Sequence, residues 1–232
     1  MKFVVQEIIQ DFIGLIYPNP CLACLNTLVK GEDIICSHCL LDMPKTNFHK
    51  QSLNPLHDRL SLRFPLQYAF AYYYFKKGSK VQELLHQLKY RQHPEIGQKI
   101  GRVLAQELVD QKFDNAFDLI VPVPLHPSRK RSRGYNQSEE FAKGLSEGLH
   151  IAYADSFIKR RVKTQTQTRK SKLSRWQNVS EVFEMKKDEE VKGKRILLVD
   201  DVVTTGATLE ACSLSLIKAG CSEISIACIA MA

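Results

Sequence analysis

The sequence contains no Gly-x-Gly-x-x-Gly and no Gly-Lys followed by Ser or Thr, so neither a dinucleotide fingerprint nor a nucleoside-triphosphate P-loop is available. No helix-turn-helix pattern that would read duplex DNA is evident. Long apolar runs are also missing. Met1 to Tyr17 carries Val4, Val5, Ile8, Ile9, Phe12, Ile13 and Ile16 on one helical face, but Glu7 and Asp11 interrupt it. That excludes a membrane span and a signal h-region, leaving an amphipathic helix packed on the chain's own core, on a partner or on lipid. Tryptophan occurs once, at 176. What remains is 44% hydrophobic and 25% charged, the composition of a globular chain expected in the cytoplasm.

The most informative segment is Arg195 to Thr208. Ile196 to Val199 reads as a buried parallel strand, and Asp200 and Asp201 follow where it ends. Val203-Thr-Thr-Gly-Ala-Thr208 then makes a turn into a helix over Leu209 to Ala219, closed by Gly220. A turn that opens a helix offers free N–H groups and a positive dipole end, which suit a phosphate. Thr204, Thr205 and Thr208 add hydroxyls, and Gly206 lets the backbone come close. Two carboxylates beside such a cradle would repel the phosphate unless the same ligand also presents hydroxyls. The implied ligand is a sugar phosphate, with its diol on Asp200 and Asp201.

Cys21-x-x-Cys24 and Cys36-x-x-Cys39, eleven residues apart, have the spacing of a small four-thiolate zinc site. Four thiolates leave no open coordination position, so the expected role is structural; an iron–sulfur centre is the alternative. Cys212, Cys221 and Cys228 lie among apolar residues and read as core.

Net charge is +8, and its placement is uneven. Residues 126–175 hold 13 Lys/Arg against 4 Asp/Glu, so the rest of the chain is nearly neutral. Tyr68 to Phe75 reads as a strand. Val81, Leu84, Leu85 and Leu88 mark a helix ending at Lys89-Tyr90-Arg91, and Ile96, Ile100, Val103, Leu104 and Leu108 mark another. Asp118 to Pro124 is a second central strand, followed by a loop with Arg129, Lys130, Arg131 and Arg133. Ligands of open α/β sheets sit at the C-terminal ends of strands. Those cations are therefore expected to face the cleft of Asp200 and suit a pyrophosphate, against the plainer reading of a solvated surface loop. Asn136 with Glu139 reads as a capping box. Residues 159–178 are basic, rich in Thr and Gln and poor in apolar side chains, the composition of a mobile loop that Trp176 would anchor or extend with a stacking face.

The run Val199 to Thr208 resembles the phosphoribosyl pyrophosphate signature of type I phosphoribosyltransferases. With the four-Cys knuckle, Pro122-Val-Pro-Leu-His-Pro-x-Arg129, Arg133-Gly-Tyr-Asn-Gln137, Arg161-x-x-Thr164-x-x-Gln167 and Arg175-x-x-Asn178-Val179, the chain resembles the competence protein F (ComF/GntX) family. The resemblance implies an α/β fold, a Rossmann-like parallel sheet flanked by helices, with a small N-terminal zinc module. The expected layout is an amphipathic helix over 1–17, the zinc module over 18–44, a connection over 45–65 and the phosphoribosyltransferase-like unit over 66–232. It implies ribose contacts by Asp200 and Asp201, 5-phosphate contacts by Val203 to Thr208, a catalytic loop with Thr164, Gln167 and Arg175, and Mg²⁺ bound with the ligand. It further implies a part in DNA uptake or use of external DNA, with single-stranded DNA, an uptake helicase or competence proteins as partners. One position departs. Purine-salvage relatives carry Asp where this chain has Thr204, and Thr is a poor base at neutral pH, so purine salvage is not expected.

Overall fold

A computed structural model of the chain describes residues 19–51, 53–154, 157–160, 183–185 and 188–232. Its strands are β1 (Ala69–Tyr74), β2 (Leu119–Pro122), β3 (Ile158–Arg160), β4 (Phe183–Met185), β5 (Arg195–Val203) and β6 (Glu223–Met231). Its α-helices are α1 (Ser37–Asp42), α2 (Pro55–Ser61), α3 (Lys80–Tyr90), α4 (Glu95–Asp110), α5 (Pro127–Arg133), α6 (Gln137–Leu149) and α7 (Ala207–Lys218).

Four strands form a parallel sheet in the order β1-β6-β5-β2, and β3 pairs with β4 in a separate antiparallel ribbon. Apolar runs such as Ile196 to Val199 suit central strands because both faces of the sheet are covered. Leu197 and Val199 join one core with α3, α4 and α6; Ile196 and Leu198 point to the other, which includes residues of α2 and α7. The cysteine module packs into the first of these cores through Cys21, Ile35, Cys36, Cys39 and Met43. Its exit then runs antiparallel along the outer side of β1. Lys45 bridges Tyr73, Thr46 N donates to Tyr72 O (3.0 Å) and Tyr74 N donates to Pro44 O (2.9 Å).

Residues 45–65 do more than connect. Phe48, Leu56, Leu60 and Phe64 are buried in the second core, and Asn54 caps α2 by accepting from Leu56 N and His57 N. The cationic stretch after β2, expected as a loop, instead forms the short helix α5. Pro127 is pre-set for a first helical position, and Gly134 ends the helix at φ 84°. β5 also runs further than its apolar residues, through Asp200 and Asp201 to Val203.

Helices α4 and α6 approach unusually closely, along glycines spaced four apart: Gly97 and Gly101 on one, Gly144 and Gly148 on the other. A Cβ on Gly144 would stand 2.1 Å from the Gln98 carbonyl oxygen, and one on Gly101 would stand 2.5 Å from that of Phe141. Backbone cannot yield as a side chain can. Gly144→Ala, which on a free helix surface would stabilise by up to ~1 kcal/mol, is expected to destabilise by ~1–3 kcal/mol by prising the helices apart. A lower urea midpoint with an unchanged slope would be the observation; a raised midpoint would refute the close contact.

Candidate functional site

The sheet brings two chain crossings to one edge. β2 and β5 are adjacent and parallel, with Pro122 opposite Val199, so their C-terminal ends open on the same side. From β2 the chain passes to α5 and α6; from β5 it passes through the Thr-rich turn to α7.

Asn136 locks the first crossing. Its Nδ2 donates to Val123 O (3.0 Å), and its Oδ1 accepts from Ser138 N (3.3 Å) as the cap of α6. Glu139 does not complete a reciprocal box with it; its carboxylate pairs with Lys130 (3.2 Å) and Lys143 (3.7 Å). The cap sets Ser138 beside the acid pair, where its hydroxyl donates to Asp200 Oδ1 at 2.8 Å. The same oxygen accepts from Asp201 N at 2.9 Å. On the other side Lys89 Nζ, from the last turn of α3, lies 2.9 Å from Asp201 Oδ2. Burial, and then the negative charge of Asp201, push the Asp200 carboxyl up to about 7, against the lowering effect of Ser138, the Asp201 N–H and Lys89. Neither Lys89 nor Ser138 is marked in the sequence as a partner of Asp200 or Asp201.

The turn that follows is open. Thr204, Thr205 and Ala207 are exposed, Thr208 is half-buried, and the Val203 side chain lies in the second core. Gly206 sits at φ 78° as the cap of α7, a conformation that favours glycine. A Cβ there would also come within 2.6 Å of Leu60 Cδ2, so α2 lies directly beneath the turn. Arg63 strengthens this support with a 3.0 Å pair to Glu210 in the first turn of α7. Only Ala207 of the turn has a described side-chain acceptor for its N–H, the Thr205 hydroxyl at 3.4 Å.

The cations of α5 divide in two. Arg133 lies 5.1 Å over the Tyr90 ring and donates to Gln137 Oε1 (2.7 Å). The Tyr135 hydroxyl, donating to Leu88 O, holds the same stretch against the end of α3. Arg129, Lys130 and Arg131 are exposed, with Lys130 turned to Glu139. Thr164, Gln167, Arg175 and Trp176, and the N-terminal residues 1–17, lie outside the described residues. The residues that flank the Thr164 segment are joined, since Arg160 pairs with Phe183 in the β3–β4 ribbon.

At the other end of the chain, the Sγ atoms of Cys21, Cys24, Cys36 and Cys39 all lie within 4.8 Å of one another, and Cys24 and Cys36 are 3.9 Å apart. A tetrahedral thiolate site with metal–sulfur bonds of about 2.3 Å requires sulfurs about 3.8 Å apart. Cys21 Sγ accepts from Cys36 N (3.3 Å) and Ala23 N (3.4 Å), and Cys36 Sγ accepts from Cys39 N (3.4 Å). Burial raises the Cys21 thiol, but the N–H donors of Cys36, Ala23 and Cys24 outweigh it and bring it down to about 7. Cys39 is driven the other way by burial and by the neighbouring cysteines. Four sulfurs so arranged are compatible with a structural metal.

A parallel sheet with an acid pair and a helix-opening turn at its C-terminal edge defines a class, and residues 86–232 match the phosphoribosyl transferase domain family. The chain belongs to that family. More particularly, it is 29% identical over 224 residues to the DNA utilization protein YhgH of Escherichia coli (strain K12), covering 93% of this chain and 98% of that protein. It is 35% identical over 147 residues to competence protein F of Haemophilus influenzae, covering 62% of this chain and 64% of that one. These relatives are the competence protein F group that the N-terminal cysteines and the Arg133-to-Gln137 run resemble. Among solved structures, the allosteric regulatory enzyme of purine biosynthesis matches with a TM-score of 0.43 at 24% identity, over 62% of this chain and 30% of that one.

Proposed function

We propose that this protein binds phosphoribosyl pyrophosphate, with the ribose hydroxyls on Asp200 and Asp201 and the 5-phosphate in the turn from Val203 to Thr208. The observation that carries this reading is the meeting of a partly buried acid pair with an open, glycine-capped helix start on one continuous strand–turn–helix. The carboxylates accept hydrogen bonds from hydroxyls, and the turn offers N–H and O–H donors to an anion. Arg129, Lys130, Arg131 and Arg133 are assigned to the pyrophosphate, and Thr164, Gln167 and Arg175 to a loop that shields the reacting centre. Hard carboxylate oxygens and a polyphosphate are the donors Mg²⁺ prefers, and when bound with the ligand it would neutralise charge on the leaving pyrophosphate. Zinc is assigned to Cys21, Cys24, Cys36 and Cys39, whose sulfur spacing fits it.

Transfer would break the bond from the ribose C1 to oxygen, the electron pair leaving on pyrophosphate while an acceptor's lone pair forms the new bond. The turn holds no carboxylate to take the acceptor's proton, because Thr204 stands there. The acceptor must then need no base, or the base must come from elsewhere. Titration calorimetry with phosphoribosyl pyrophosphate and Mg²⁺ is expected to show binding, while pyrophosphate release with adenine, guanine or hypoxanthine stays near the blank. No binding would refute the reading, and fast release with a purine would restore base salvage. Binding with little release against every acceptor would favour a non-catalytic role in DNA handling, in keeping with the names of the relatives. Exposed Arg129, Lys130 and Arg131 would then offer phosphate contacts to single-stranded DNA. Among the described residues no helix is long and apolar enough to cross a membrane. We place the protein in the cytoplasm, where an uptake helicase or competence protein would meet it.

A further inference from the structure

Resting on the ligand reading just given, we propose that Lys89 is a pyrophosphate-contacting residue that exchanges Asp201 for the ligand's leaving group. Its ammonium lies 2.9 Å from Asp201 Oδ2, with both side chains largely covered. Among the described residues it is the one cation paired with either acid. A ribose diol on Asp201 donates hydrogen bonds to that carboxylate and competes with the ammonium for the same oxygens. A partly buried cation stripped of its partner is costly, so Lys89 must find another anion.

The ligand supplies one close by. The pyrophosphate is carried on C1, the ring neighbour of the carbon that bears the 2-hydroxyl. With the 2-hydroxyl placed on Asp201, a lysine already touching that acid need only rotate its flexible stem to reach the phosphate. The backbone of α3 stays fixed during the exchange, because Leu84, Leu85 and Leu88 are buried and Tyr135 bonds the Leu88 carbonyl. Lys89 also occupies the last turn of its helix, where the dipole favours a cation. The next residue, Tyr90, carries Arg133 on its ring, so a second cation stands at the end of α3. In the free protein Lys89 offsets the charge of the acid pair; in the complex it selects a ligand that has a pyrophosphate over one that lacks it.

The test compares phosphoribosyl pyrophosphate with ribose 5-phosphate, each with Mg²⁺, on the full chain as wild type, Lys89→Met and Lys89→Arg. Lys89→Met should lose about ten- to hundredfold in affinity for phosphoribosyl pyrophosphate, the worth of one charge-assisted hydrogen bond, while ribose 5-phosphate changes by less than about threefold. Lys89→Arg should recover most of the loss. Equal losses for both ligands in Lys89→Met would mean that Lys89 only orders Asp201 and would overturn the proposal, as would no loss at all. If Lys89→Met does not fold, judged by circular dichroism, Lys89→Gln takes its place with the same expected split. A wild type that binds no phosphoribosyl pyrophosphate would fell the ligand reading itself, whereas a binding wild type with an indifferent Lys89 fells only this inference.

Discussion

Asp200→Asn combined with Asp201→Asn is expected to lower affinity for phosphoribosyl pyrophosphate by at least about a hundredfold. Each acid would contribute a charge-assisted hydrogen bond of ~1.5–3 kcal/mol, and an amide replaces it with a weaker neutral acceptor. The fold should survive, because Asn matches Asp in shape and both residues are only half-buried at the end of β5. The single change Asp200→Asn should even stabilise the free protein at neutral pH. The folded carboxyl titrates near 7, against 3.8 as its ordinary value, so the folded state holds its proton more tightly than the unfolded chain does. The contribution of Asp200 to wild-type stability therefore falls as pH rises from about 4 towards 7, and Asn is exempt from that fall. Melting temperatures of the two proteins should coincide near pH 4 and separate by pH 7, with the mutant higher. Coincidence at both pH values would show that Asp200 is not held in a costly charged state. Unimpaired ligand binding by the double mutant would remove the sugar-phosphate assignment.

Removal of the metal is expected to act well beyond the cysteine module. Structural zinc in small modules is worth ~10–16 kcal/mol, and Cys39→Ser replaces one thiolate by a poor ligand. Cys39 is fully buried in the same core as Leu84, Leu88, Ile100 and Leu104, and Lys99 of α4 pairs with Asp33 of the module. The expected result is less than one zinc per chain by metal analysis and a melting transition lowered for the whole protein. Retention of one equivalent of zinc with unchanged melting would refute the assignment. Purified wild type should be colourless, and cobalt substitution should give the absorption of a tetrahedral thiolate site; a brown protein would establish the iron–sulfur alternative.

The parts of the candidate site that the sequence suggests are those carried by contiguous residues. Asp200, Asp201 and the turn to Thr208 follow one another along a strand and into a helix, so the proposed sugar-phosphate pattern falls in one window. The cysteine pairs are visible because ligand spacing is itself local. Lys89 and Ser138 reach the same carboxylates from α3 and α6, and nothing in their immediate neighbours indicates that meeting. The four-residue spacing of Gly97 with Gly101, and of Gly144 with Gly148, is plain in the sequence, but helical periodicity does not say which two helices share it. Residues 45–65 look like a connection because Pro, Asn, His and Ser leave no clear apolar period. Leu60 nevertheless reaches Gly206, a long-range contact that composition cannot reveal. In the cationic stretch, charge suggested a loop, while Pro127 and Gly134 were the better guides to a short helix.

The strip of chain from Pro44 to Thr46 has one more consequence. β1 is the outermost strand on its side of the sheet, and its sequence, Ala69-Phe-Ala-Tyr-Tyr-Tyr74, is rich in residues that favour intermolecular pairing. The hydrogen bonds to Tyr72 and from Tyr74 occupy that margin with the protein's own backbone. This covering strip begins one residue after Met43, the residue that closes α1 and whose N–H bonds to the Cys39 carbonyl. Cysteine module and margin are thus joined through consecutive residues, and if the module holds the proposed zinc, its removal would expose a sticky aromatic border that recruits other copies into aggregates.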